Sequence, residues 1–104
     1  MNMAVIGDSD TVTGFELAGV KGYAIKPQEA PQTLEKLISE GVELIIITEK
    51  LAAFVQDIAK KYESSATPIL VEIPDKKGST GFAENMVAEM VRRAVGLEAA
   101  GGKE

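Results

Sequence analysis

The chain of 104 residues has length for one domain with one core, and a chain of that size buries roughly 60 to 70% of its unfolded surface. Hydrophobic residues make up 45% and charged residues 26%, the composition of a soluble globular protein, and a net charge of −5 argues against nucleic acid or an anionic membrane face as partner. There is no cysteine and no histidine, which excludes disulfides, thiolate metal sites and Ser-His-Asp, Cys-His or His-zinc chemistry, and leaves the redox compartment undetermined.

The chain opens on a short apolar run, Met3-Ala4-Val5-Ile6, that passes through Gly7-Asp8-Ser9-Asp10 into a segment with helical apolar spacing. This predicts a strand buried on both faces feeding straight into a helix that starts near Thr11, with Phe15, Leu17 and Ala18 on one side. Gly14 is expected to permit close packing of that helix on a strand, and Gly19 to end it. Val20 to Ile25 is a weaker strand, closed by Lys26-Pro27. A polar loop follows to Pro31, which sits in the first turn of the next helix because its missing N–H is not needed there. Leu34, Leu37 and Ile38 carry that helix to Ser39, and Gly41 stops it.

Val42 to Thr48 is the strongest strand, rich in β-branched residues and suited to a central position. Leu51, Phe54, Val55, Ile58 and Tyr62 then follow a spacing that places all five on one face of a third helix. After the loop Ser64 to Thr67, Ile69 to Ile73 forms a fourth strand, stopped by Pro74. Three strand-helix units and a fourth strand predict an α/β fold with a four-stranded parallel sheet, flanking helices and right-handed crossovers. Residues 1–74 form this N-terminal domain.

Residues 75–81 are polar and glycine-bearing and read as a flexible linker with Pro74, Gly78 and Gly81 as its hinge. Residues 82–97 form an amphipathic helix whose apolar face includes Phe82, Ala83, Met86, Val87, Met90 and Ala94, and residues 98–104 form a disordered tail. Methionines at helical spacing fill a core or, on a helix that follows a linker, form an adaptable face for docking on another helix. The longest apolar run is too short to span a bilayer and the N-terminus lacks the features of a signal peptide, so the chain is expected in the cytoplasm without direct membrane insertion.

Two carboxylates after a first strand, Asp8 and Asp10, match the place where a receiver domain holds Mg²⁺ or phosphate. Such a domain also needs an aspartate at the end of its third strand, where this chain has Ile47-Thr48-Glu49, and a lysine after its last strand, for which Lys76 and Lys77 follow a proline turn. The other reading makes Asp8 or Asp10 the cap of the first helix. The spacing of Gly7 and Gly14 lacks the Gly-Lys-Ser/Thr ending of a phosphate loop and the close glycines of a dinucleotide fingerprint. No catalytic, cofactor or metal residue is assigned.

Ala4-Val5-Ile6-Gly7-Asp8 with Asp10-Thr11-Val12-Thr13-Gly14-Phe15 and Leu17-Ala18-Gly19 resembles the N-terminal signature of the F subunits of the archaeal A-type and eukaryotic vacuolar-type rotary ATPases. Val42 to Glu49 and Pro68 to Pro74 match the family's next two blocks in order, and the likeness extends to Gly96. The resemblance implies a receiver-like (flavodoxin-like) α/β domain and a non-catalytic rotor component of the central stalk. It further implies that the chain binds the helical D subunit of the stalk, couples ATP synthesis or hydrolysis to proton or sodium transport, and lies peripherally at the cytoplasmic face of the membrane. The C-terminal helix, carried over to Phe82–Val95, would lie along the stalk and affect ATPase activity. Lys76 to Gly81 stands in place of the vacuolar form's Pro-Tyr-Asp ending, which favours an archaeal-type complex. The alternative is a stand-alone receiver-like signalling module binding Mg²⁺ or a small phosphate ligand at Asp8 and Asp10.

Overall fold

The computed structural model of the chain describes residues 2–74. The linker, C-terminal helix and tail expected over 75–104, with Gly78, Gly81, Phe82, Ala83, Met86, Val87, Met90 and Ala94, lie outside the described residues.

Four strands, β1 (Met3–Gly7), β2 (Lys21–Ala24), β3 (Leu44–Thr48) and β4 (Ile69–Ile73), form one parallel sheet in the order β2-β1-β3-β4. Parallel neighbours require crossovers. These are made by helix α1 (Ser9–Leu17), by α2 (Ala30–Ser39), and by the short pair α3 (Glu49–Ala52) and α4 (Gln56–Lys61). The central strands β1 and β3 are in register, with Val5 opposite Ile46 and Ile6 opposite Ile47. They bear the continuous apolar runs that burial on two faces demands, whereas the edge strands β2 and β4 are mostly half-buried or exposed.

The pleat divides the core into two layers. On one face Ala4, Ile6, Ile45 and Ile47 pack with Leu34 and Leu37 of α2, Leu51 of α3 and Val55. On the other face Val5, Ile46 and Ile73 pack with Val12, Phe15 and Val20.

Most of the expected elements form, with three differences. Leu17 does not share the buried side of α1 with Phe15; it is 86% exposed, and Ala18 is also exposed. Residues two apart on a helix point about 200° apart, so the face that Phe15 occupies is completed by Thr11 and Val12, four and three residues back.

Gly14 does not make the close helix-to-strand approach, since a Cβ there would meet nothing within 4 Å. Gly22 on β2 makes it instead: a Cβ there would collide with the Val12 side chain and lie 2.9 Å from Cγ of Glu16. Gly19 and Gly41 do end their helices, with φ of 93° and 83°, values that L side chains rarely adopt.

The third expected helix is two helices. The N–H groups of Phe54 and Val55 bond to the carbonyls of Leu51 and Ala52, three residues back, the tightening typical of a helix end. Val55 leaves helical geometry at φ −125° and ψ 20°, and its carbonyl accepts the first bond of α4 from Ala59. The break keeps Leu51 and Val55 buried while Phe54 turns 53% exposed. The polar loop before α2 contains a 3₁₀ turn, Pro27–Glu29, in which the Glu29 carboxylate accepts from the Lys26 N–H at 2.8 Å.

Candidate functional site

Two places bear on function: the carboxyl ends of the strands, where an open parallel sheet binds ligands, and the outer edge of β4. At the first, Asp8 follows β1 as the N-cap of α1. Its Oδ2 accepts from the Thr11 N–H at 3.0 Å and its Oδ1 from the Thr11 hydroxyl at 2.7 Å. Both carboxylate oxygens thus hold the first turn of the helix, in the manner of a capping aspartate. Asp10 lies on the exposed side of that turn, and Asp8, Asp10 and Lys50 all have interaction partners.

β3 ends on Thr48, which is buried against Gly7; a Cβ on Gly7 would approach its Cγ2 to 2.8 Å. The carboxylate that a receiver site requires is therefore replaced by a methyl and hydroxyl packed on the neighbouring strand, and Glu49 already belongs to the exposed start of α3. Among the described residues no three carboxylate, histidine or cysteine side chains come together to hold a metal ion. The pairing of Thr48 with Gly7 was not legible in the sequence, because it depends on the lateral register of β1 and β3.

At the second place β4 has a neighbour on one side only: among the described strands none pairs with its outer edge. The Ile69 N–H bonds inward to Glu43 O at 2.7 Å, so the alternation of a parallel ladder turns the backbone groups of Leu70 and Glu72 outward. Beside this edge, under α4, lie two hollows of about 630 and 360 Å³ that share Gln56, Ala59 and Leu70 and so form one groove. Its floor is apolar, with Ala59 and Leu70, while Ile69, one residue before Leu70, lines it from the strand's start with its side chain on the other face of the sheet; Asp57, Glu63, Glu49 and Glu72 stand along it.

Of the expected hinge residues, Pro74 is the last described residue; it is half-buried and follows β4 directly. The expected partner-binding residues 82–94 lie beyond it. No helix among the described residues is long and apolar enough to cross a membrane.

The family model for the ATP synthase (F/14-kDa) subunit matches residues 3–91. The chain is 42% identical over 100 residues to the F subunit of the A-type ATP synthase of Methanothermobacter thermautotrophicus, covering 93% of this chain and 94% of that one. It is 43% identical over 107 residues to the F subunit of the A-type ATP synthase of Thermococcus kodakarensis, covering 94% and 97%. It is also 34% identical over 95 residues to the F subunit of the V-type ATP synthase of Fusobacterium nucleatum, with 90% of each chain covered.

Proposed function

This chain belongs to the ATP synthase (F/14-kDa) subunit family, and we propose that it serves as the non-catalytic F subunit in the central stalk of an A-type ATP synthase. The observation that carries this reading is the match of residues 3–91 to the family model, together with A-type relatives that align over nearly their whole length. The local chemistry agrees with it. The chain has no histidine or cysteine, and the first carboxylate at the ligand-binding end of the sheet is committed to capping α1.

In this reading the protein sits at the cytoplasmic face of the membrane. It takes part in coupling ATP synthesis or hydrolysis to proton or sodium transport without reacting itself. Residues 1–74 are the α/β domain, and the strand order β2-β1-β3-β4 supports a receiver-like arrangement. Pro74, Gly78 and Gly81 form a hinge in a linker at 75–81. The helix 82–97 docks on the D subunit of the stalk through Phe82, Ala83, Met86, Val87, Met90 and Ala94, where two flexible thioethers beside small alanines fit a neighbouring helix. The same helix regulates ATPase activity in this proposal.

The test is co-expression of the tagged chain with the other components of its A-type complex. Stoichiometric recovery with the D subunit is the expected result. Recovery of the chain alone, with an otherwise assembled complex, would contradict the proposal.

A further inference from the structure

We propose that the groove between α4 and the outer edge of β4 is a docking site for an amphipathic helix of a partner protein in the complex, one that carries Lys and Arg along its rim. This rests on the reading of the chain as part of a larger complex and adds a second contact surface, on the folded domain itself.

The shape of the groove decides between a strand and a helix as occupant. Strand addition needs a row of outward backbone groups. β4 has five residues, of which only Leu70 and Glu72 turn their N–H and C=O outward, and Pro68 and Pro74 bound it on either side. Glu72 is exposed on that edge, a charge of the kind that discourages edge-to-edge pairing. The two joined hollows instead run from Pro68 and Tyr62 to Ala52 and Glu72, past the faces of α4 and β4. Such a trough receives one apolar face of a helix at Ala52, Ala59 and Leu70.

Charge then fixes the chemistry of that helix. Asp57, Glu63, Glu49 and Glu72 face Lys60 as the one cation among the described lining residues. An acidic rim around an apolar floor selects a partner with basic flanks and repels an acidic one. The chain's own segment 82–95 is the weaker match, because Glu84 and Glu89 offset Arg92 and Arg93 and leave it without net positive charge. A second copy meeting it groove to groove brings the same acidic rim and is repelled.

The absence of cysteine makes the test direct. A single Gln56→Cys chain carrying a photo-activated cross-linker is co-expressed with the other components of the A-type complex, and the complex is purified intact. The control is Glu35→Cys on the exposed side of α2. The expected product joins Gln56→Cys to a Lys- and Arg-bearing helical peptide of a partner protein, in at least about fivefold greater yield than the control. Added salt lowers that yield, and so does Glu49→Lys with Glu72→Lys, by about tenfold. Should charge reversal disturb folding, Asp57→Lys with Glu63→Lys on exposed α4-side positions gives the same comparison. A product joined to residues 82–95 or to a second copy, or a yield indifferent to charge, would overturn the groove's role while the chain still copurifies. Failure to copurify at all would overturn the reading of the chain as a stalk component and the groove's occupant with it.

Discussion

Asp8 illustrates how one residue separates two functions that a sequence leaves open. Its two oxygens are both taken by Thr11, so Asp8→Ala is expected to lower unfolding stability by about 1 kcal/mol through loss of the cap. Denaturant unfolding of the full chain measures this, and the same variant in the assembled complex is expected to leave ATPase activity unchanged. The two glycines near α1 make a sharper contrast. Gly22→Ala drives a methyl into Val12 and Glu16 and is expected to cost about 1–3 kcal/mol, the range for overpacking. Gly14→Ala has open space inside a helix and is expected to stabilise the protein by about 1 kcal/mol, since alanine replaces the more flexible residue. Thermal melts of both variants decide; a loss at Gly14 would mean that the helix is packed there after all. The sequence pointed to the wrong glycine because spacing records what lies along a helix and carries no record of which strand residue lies beneath it.

The elements were legible wherever burial imposed a strict pattern. The apolar runs of β1 and β3 marked central strands, Pro31 and Gly41 bounded α2, and Ile69–Ile73 was bounded by proline on both sides. The break between α3 and α4 was not legible, since no glycine or proline marks it and Leu51 and Val55 are buried whether the helix continues or turns. The groove was illegible for a related reason: Gln56, Ala59 and Leu70 come together only through the pairing of β4 with β3 and the packing of α4 above it. That an aspartate caps α1 was legible as one of two readings from its position, but which of Asp8 and Asp10 does so was not; the structure assigns Asp8. At this scale the proposed linker makes its own prediction. A chain ending at Lys77 keeps all four strands and the crossover helices, so its far-ultraviolet circular dichroism should retain a cooperative melt. An unfolded truncation would show that residues beyond the linker complete the core, and Met86 and Met90 would then belong to that core.

Taken whole, the molecule is a non-catalytic subunit of its family with two proposed contact regions. The isolated chain is therefore expected to turn over no ATP above a buffer blank in a coupled assay, and measurable hydrolysis by protein free of the rest of the complex would contradict it. The helix 82–97 is proposed as the grip on the stalk. If that proposal holds, replacing Met86 and Met90 together by Asp puts two charges into a desolvated contact, while Glu84→Lys alters a residue that helical spacing assigns to the polar side. An exposed charge of that kind is expected to change binding by less than about 1 kcal/mol.

Whether the chain grips the stalk in this way is decided by calorimetric titration of the purified full chain into the purified D subunit. A saturable one-to-one association is expected for the wild type and for Glu84→Lys. The Met86→Asp, Met90→Asp double variant is expected to lose several kcal/mol of binding while its free melting temperature stays close to that of the wild type. Heats of dilution alone from the wild-type chain, under conditions in which both proteins are folded, would contradict the assignment of this chain to the stalk.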